Sequence, residues 1–174
     1  MTTLRVPSLL PATALVLAFV LAARPAGAVQ TRIIPIVAND VVYNPQDGML
    51  YVSVPGLAPL YANTITRVNP VSGAIGPSVP IGSEPRKLAL SSDGTALWVG
   101  LDGAGAIRKV DLGSFTAGPQ FTLGSDPFVG PYFVDDMEVI PGAPNSVVVA
   151  LRNQDTVRAT WGSRPATTVS SVPP

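Results

Sequence analysis

The sequence predicts an all-β fold. Short runs of β-branched and aromatic residues alternate with Gly, Pro, Asn and Asp, and no amphipathic helical period follows the N-terminal segment. The pattern Gly76-Pro77 followed by Gly82-Ser83-Glu84-Pro85 returns 42 residues later, as Gly118-Pro119 followed by Gly124-Ser125-Asp126-Pro127. A period of this length on short strands is typical of the four-stranded blades of a β-propeller. We therefore expect about three four-stranded antiparallel blades in an incomplete or open propeller.

Two full units show the same order of strands and turns. In each, an inner strand is followed by a turn that ends in Asp-Gly and by a second strand of the Leu-aromatic-Val type. The predicted inner, second and third strands lie at 41–43, 50–54 and 65–68, and again at 88–90, 97–101 and 107–110. A third unit begins at 137–140, turns at 141–145, continues at 146–151 and starts its third strand at 155–157.

The repeat region is predicted to span residues 29–157. Ile34-Pro35-Ile36 matches Val79-Pro80-Ile81, so we expect it to form the outer strand of a neighbouring blade. The alternation stops after residue 157, and residues 158–174 are expected to form a disordered or truncated tail. Closed propellers carry about four to eight blades. Three blades therefore predict an open fold, a ring completed by other copies, or a fragment of a longer protein.

The N-terminal segment has the pattern of a secretory signal peptide. Arg5 precedes an apolar run over residues 12–23, and Ala26-Gly27-Ala28 has the small residues of a cleavage site. The run is shorter than the ~20 residues that a membrane-spanning helix needs. We expect residues 1–28 to be removed after Ala28, leaving a secreted, periplasmic or cell-surface protein without a membrane span.

The composition excludes several classes of site. The chain has no cysteine and no histidine, which removes disulfides, the common nucleophile–base pairs and most zinc sites. Its formal net charge is zero, so it is not basic enough to bind nucleic acid through the phosphate backbone. The Asp-Gly pairs at 47–48, 93–94 and 102–103 are interpreted as tight turns rather than calcium loops. No cofactor, metal site or catalytic residue is predicted.

The strand pairs resemble the YVTN-type β-propeller repeat. The resemblance is carried by Leu50-Tyr51-Val52-Ser53-Val54 with Asn63-Thr64-Ile65-Thr66-Arg67-Val68-Asn69, and by Leu97-Trp98-Val99-Gly100-Leu101 with Ala106-Ile107-Arg108-Lys109-Val110-Asp111. It covers residues 39–157. The resemblance implies a propeller of an exported bacterial or archaeal protein. Members of this group include binding proteins, surface-layer proteins and relatives of sugar lactonases.

The predicted ligand-binding site lies at one mouth of the propeller channel. Alignment of the inner strands places Asn39-Asp40, Arg86-Lys87 and Asp135-Asp136 at equivalent positions, just before each inner strand. In a propeller such positions surround one end of the channel. We therefore expect Asp40, Arg86, Lys87, Asp135 and Asp136 to form a polar rim that binds a polar ligand or a hard cation. The alternative is that these charges only face solvent or pair with each other.

Aromatic residues add to this rim. The segment Phe128-Val129-Gly130-Pro131-Tyr132-Phe133 has no counterpart between the first two units. Its Tyr132 and Phe133 are predicted to stack on a sugar or peptide, with packing over the core as the alternative.

The function that these features favour is a binding or interaction scaffold outside the cell or at its envelope. Its partner would be a protein, a polar small molecule or a carbohydrate. Open blade edges would also promote self-association, because unpaired strand edges are templates for pairing. One alternative is a carboxylate-dependent hydrolase or lactonase-like enzyme. Another is a fragment of a longer propeller protein without a function of its own.

Overall fold

The computed structural model describes residues 31–153 and 169–172, and these residues form β-strands connected by turns and loops. The strands are β1 (Asp40–Asn44), β2 (Met49–Val54), β3 (Thr64–Val68), β4 (Ile75–Pro80), β5 (Pro85–Leu90), β6 (Ala96–Leu101), β7 (Ala106–Asp111), β8 (Thr116–Thr122), β9 (Ser125–Asp126), β10 (Gly130–Pro131), β11 (Phe133–Val139), β12 (Val147–Arg152) and β13 (Val169–Val172). In the part of the chain that the structure describes, no helix is long and apolar enough to cross a membrane.

The strands form three antiparallel blades of a β-propeller. Blade 1 has the order β1-β2-β3-β4 and blade 2 the order β5-β6-β7-β8, while blade 3 shows β11-β12-β13. A two-stranded hairpin, β9-β10, lies between blades 2 and 3 in sequence. The first strand of each blade contacts the first strand of the next, β1 with β5 and β5 with β11. The predicted all-β fold of propeller blades is confirmed.

Neighbouring blades pack against each other through apolar side chains, which point alternately to the two faces of each inner strand. Leu88 and Leu90 pack into the core between blades 1 and 2, whereas Ala89 between them packs into the core between blades 2 and 3. Tyr51 and Trp98, on equivalent second strands, are the largest fully buried side chains of these two cores. Since neighbouring residues of a strand point to opposite faces, one inner strand serves two interfaces.

The repeated Gly-Pro pair forms a bulge in each outer strand. In blade 1, Thr66 pairs with Ser78 and Val68 with Ile75, so Gly76 and Pro77 both oppose a single residue of β3. The same shift occurs in blade 2, where Gly118 and Pro119 oppose a single residue of β7. A bulge tolerates proline because the missing N–H is not needed there for the strand ladder. The Gly-Pro pair that recurs in the sequence therefore marks the same bulge in both outer strands.

The N-terminal segment differs from the prediction. Residues 34–36 were expected to form an outer strand, but the described structure has no strand before Asp40. Ile34 and Ile36 instead pack against the buried Val52, Val54 and Val68 of blade 1. Apolar burial holds this segment in place, although no described strand lies beside it to pair with.

The C-terminal region also differs from the prediction at four residues. Val169–Val172 lies within the segment expected to be a disordered or truncated tail, yet it forms β13 and pairs with β12. Pairing with β13 satisfies the edge of β12 that would otherwise lack a partner. The predicted signal peptide and the predicted third strand at 155–157 lie outside the described residues.

Candidate functional site

The strand register aligns the three polar pairs that the sequence predicts before the inner strands. Val41 pairs with Val52, Leu88 with Val99, and Met137 with Val149, and these partners are equivalent in the three second strands. The residues just before them are Asn39-Asp40, Arg86-Lys87 and Asp135-Asp136. The three pairs are therefore equivalent, but the prediction that each precedes its strand is wrong for two of them, because β5 begins at Pro85 and β11 at Phe133. These two pairs lie where the register of the strand ladder shifts. A binding role for the pairs stays a prediction.

Asn39 and Asp40 join blade 1 to blade 2. The Asn39 side-chain amide donates to the Pro85 carbonyl at 2.8 Å. One Asp40 carboxylate oxygen accepts from the backbone N–H of Leu88 at 3.0 Å, and the other accepts from the N–H of Val41 at 2.8 Å. Both oxygens of Asp40 are thus engaged, and this residue positions the two inner strands relative to each other.

Asp102, at the end of the second strand of blade 2, holds two arginines. One of its oxygens pairs with Arg86 at 3.1 Å and with Arg152 at 2.5 Å. Its other oxygen is buried without a hydrogen-bond partner among the described residues. The Arg152 guanidinium lies 5.3 Å from the centre of the Phe133 ring. Half of the Arg86 side chain is exposed, so Arg86 is oriented by Asp102 but still reaches solvent.

These residues border a polar cleft of about 440 Å³, which we call the rim cleft. It is lined by Ala38, Asn39, Glu84, Arg86 and Asp102. Glu84 is half-buried, and no ion pair to its carboxylate exists among the described residues. The rim cleft therefore combines Arg86, which is held by Asp102, with the Glu84 carboxylate, which has no cationic partner in the described part of the chain.

The backbone around Glu84 is strained. Glu84 has a φ of 51°, and its N–H donates to the side chain of Asn63 at 2.9 Å. Asn63 and Tyr61 also have positive φ values, of 59° and 60°. A Cβ at Gly56 would meet both the Glu84 carboxylate and the Asn63 side chain at under 3.0 Å, so the loop lies directly against Glu84. Such strain is often stored at functional sites.

The loop from residue 55 to residue 63 lies against Glu84 at Gly56 and carries exposed apolar side chains. Leu57 is 96% exposed and Leu60 is 66% exposed, while Ala58 is buried against Val52, Val54 and Val68 of blade 1. Ala58 fixes the loop, and the two leucines remain free to contact a ligand or partner. This loop is the longer connection that shifts the strand period between the first two units.

The other predicted site residues lie outside the rim cleft lining. Lys87 is half-buried and Asp135 is exposed. Asp136 is also exposed, and its carboxylate accepts from the N–H of Met137 at 3.0 Å. Of the predicted site residues, Arg86 lines the cleft.

The aromatic insertion forms the β9-β10 hairpin. The Asp126 carboxylate accepts from the N–H groups of Phe128 and Val129 at 2.8 and 3.0 Å, which closes the turn. Phe128 is 95% exposed, whereas Tyr132 and Phe133 are half-buried. The exposed aromatic ring of this segment is therefore Phe128, and Phe133 lies against Arg152.

Sequence reasoning missed Glu84, Asp102 and Arg152. Glu84 belongs to the repeated linker Gly82-Ser83-Glu84-Pro85. The repeat indicates where a blade begins, but it does not indicate that the glutamate lines a cleft. Asp102 was interpreted as a turn residue, and a turn does close there, because the Ala104 N–H donates to the Leu101 carbonyl at 3.2 Å. Its ion pairs with two other segments have no local sequence signal.

No family model and no curated protein matches the chain. Solved structures do match. The β-propeller domain of Cps50 (Swd1) from Myceliophteria thermophila is 13% identical, with a TM-score of 0.56, over 83% of this chain and 42% of that one. The periplasmic gluconolactonase PpgL of Pseudomonas aeruginosa is 20% identical, with a TM-score of 0.51, over 68% and 34%.

A third match is hydrazine synthase of Kuenenia stuttgartiensis, 16% identical with a TM-score of 0.54, over 76% of this chain. The chain spans 36% of the length of that protein and 23% of the dihydro-heme d1 dehydrogenase NirN. These proteins include a gluconolactonase, a synthase and a dehydrogenase, and their low identity to this chain means that the likeness extends to the fold alone. The chain has the fold of β-propeller proteins.

Proposed function

We propose that this chain is a YVTN-type propeller protein that is exported and binds a polar ligand in the rim cleft. The observation that carries the proposal is the pairing of chemistries in that cleft. Arg86 is held by Asp102 and reaches solvent, and Glu84 offers a carboxylate without a cationic partner among the described residues. A ligand with both a cationic group and hydrogen-bond acceptors would satisfy both side chains.

The surroundings of the cleft support the same proposal. Glu84 has a positive φ and lines the cleft, and its N–H donates to Asn63, which also has a positive φ. The loop whose Gly56 lies against Glu84 also carries the exposed Leu57 and Leu60. A polar cleft next to such a loop suits a peptide that carries a basic group and an apolar side chain.

Binding in the rim cleft can be tested by calorimetric titration of residues 29–174 with glycyl-lysine, gluconate and Ca²⁺. We expect the dipeptide to bind saturably and Glu84→Gln to weaken it at least about tenfold, because a charge-assisted hydrogen bond is worth about 1.5–3 kcal/mol. Glu138→Gln removes an exposed carboxylate outside the cleft and is the matched control. Equal binding by the two variants, or binding of none of the three probes, would contradict the proposal.

Export is tested separately. Expression of the full chain in a bacterium and mass spectrometry of the extracytoplasmic product should give a mature N-terminus at Val29, immediately after the predicted cleavage at Ala28. A product that stays in the cytoplasm with residues 1–28 attached would contradict export, without affecting the binding proposal.

The hydrolase alternative has less support. It requires several converging carboxylates that can act on a substrate or hold a cation. Glu84 has no cationic partner among the described residues, but Asp40 already accepts two backbone N–H groups and Asp102 already binds two arginines. Carboxylates committed to such contacts position the blades, which favours binding over carboxylate catalysis.

A further inference from the structure

A second cleft, which we call the aromatic socket, lies on the face of blade 2 that is directed toward blade 3. It has a volume of about 300 Å³, and its apolar wall includes Trp98, Pro119 and Phe121. The Trp98 and Phe121 rings are 5.9 Å apart. Lys109 lies on the same wall and donates to the side chain of Asn145 in blade 3. The socket reaches the end of β7 at Asp111, away from the rim cleft at the end of β6.

The interface between blades 1 and 2 contains an equivalent site that is occupied by an aromatic side chain. Tyr51 pairs across the strands with Arg67 in blade 1, just as Trp98 pairs with Lys109 in blade 2. Between blades 1 and 2 the place over this pair is filled by Phe115, whose ring centre is 6.1 Å from that of Tyr51. Phe115 lies on the turn between β7 and β8 and has a φ of 52°.

Arg67 completes this filled interface in two ways. Its guanidinium carbon lies 4.2 Å from the centre of the Phe115 ring. Its Nη2 donates to the carbonyl of Leu112, on the same turn, at 2.6 Å. The filled interface therefore recognises an aromatic ring under a cation and a nearby backbone carbonyl, both presented by one turn.

Among the described residues, no aromatic ring of blade 3 makes the contact at the aromatic socket that Phe115 makes with Tyr51 and Arg67. The cation–π contacts of the described residues involve Arg67 and Arg152, and none involves Lys109. Trp98 replaces Tyr51 as the apolar floor, and Lys109 replaces Arg67 as the cation. The positive charge of Lys109 complements the negative face of an aromatic ring, and its ammonium can donate to a carbonyl.

We propose that the aromatic socket binds an aromatic side chain presented on a turn of a partner peptide, with Lys109 in the role that Arg67 has toward Phe115. This inference goes beyond binding in the rim cleft, because it concerns a different face of the chain and a different class of ligand.

The structure supplies its own probe. The hexapeptide Asp-Leu-Gly-Ser-Phe-Thr, acetylated and amidated, copies residues 111–116. Titration into isotope-labelled residues 29–174 should shift the NMR signal of the Trp98 indole N–H saturably. The same peptide with Ala in place of Phe should bind much more weakly, because the ring provides the contact.

Variants at the two lysines of the chain test the cation. Lys109→Met should weaken binding of the Phe peptide between about 2-fold and about 30-fold, the range expected for loss of a cation–π contact. Lys109→Arg should restore it. Lys87→Met removes the other lysine, which is not part of the socket, and should leave binding unchanged. Each variant is compared only if its circular dichroism spectrum matches that of the parent.

Three outcomes would overturn the proposal. The first is no saturable shift with the Phe peptide, and the second is equal binding of the Phe and Ala peptides. The third concerns Trp161, the other tryptophan of the chain. If the Phe peptide binds only after Trp161→Ala, the chain itself fills the socket and no external partner is needed.

Discussion

Tyr51 is completely buried, and its hydroxyl donates to the Asp47 carboxylate at 2.6 Å. Burial, together with this hydrogen bond, raises the pKa of Tyr51 from 10.0 to about 12, although Arg67 acts in the opposite direction. The folded protein therefore keeps the Tyr51 proton at a pH where the unfolded chain has lost it. The stabilisation from neutral Tyr51 is complete below pH 10 and is lost as the pH rises toward 12.

This residue predicts a specific alkaline instability. Between pH 9 and pH 12 the free energy of unfolding should fall by roughly 2 to 3 kcal/mol through Tyr51, since one pKa unit corresponds to about 1.4 kcal/mol. Urea denaturation at both pH values would measure this fall. The fall should shrink in Tyr51→Phe but persist in Tyr43→Phe, which alters a half-exposed tyrosine of β1. An identical fall in all three proteins would contradict the assignment.

At the scale of elements, blade 3 packs against blade 2 at a glycine. A Cβ on Gly100, in β6 of blade 2, would lie 2.9 Å from a methyl carbon of Val134 in β11. Val134 is buried and belongs to the core between the two blades, so it has little space to move. The glycine at this position therefore sets how closely the two blades approach.

Gly100→Ala should destabilise the protein by about 1–3 kcal/mol, the usual cost of overpacking a core. Gly113→Ala is the matched control, because its added Cβ meets only an Asp111 oxygen at 3.5 Å. Both changes remove the same backbone freedom from the unfolded chain, so their difference isolates the contact with Val134. Chemical denaturation would measure the free energy of unfolding of both variants. Equal stability of the two variants would show that the structure accommodates the added methyl group beside Val134 without loss of stability.

At the scale of the whole molecule, blade 1 leaves an apolar face uncovered. Val41 and Tyr43 of β1 are 54% and 50% exposed. The register makes them equivalent to Leu88 and Leu90 of β5, which pack into the core between blades 1 and 2. Such a face is suited to contact another blade, and its exposure favours association between molecules.

We expect residues 29–174 to self-associate through this face. Light scattering over a range of protein concentrations should show a mass above that of one chain, and Val41→Lys with Tyr43→Lys should reduce it toward the monomer. Val71→Lys adds a charge at another exposed apolar residue, in the turn between β3 and β4, and should not change the mass. A parent protein that stays monomeric at every concentration would refute this expectation.

The sequence by itself determined the order of the first three strands in blades 1 and 2 and the equivalence of Asp40, Lys87 and Asp136 in the three inner strands. These features depend on period-two alternation and on turn residues, which act over a few neighbouring positions. The Gly-Pro repeat was visible for the same reason, since a bulge needs particular residues locally.

Only the tertiary structure decided which residues line the two clefts. Glu84 and Asp102 approach Arg86 because β5 pairs with β6 inside blade 2. Arg152, at the end of β12, reaches Asp102 only because blade 3 packs against blade 2. The aromatic socket likewise joins Trp98 to Asn145 across two blades. Contacts between residues 46 to 50 positions apart depend on blade packing, which no local pattern of residues encodes.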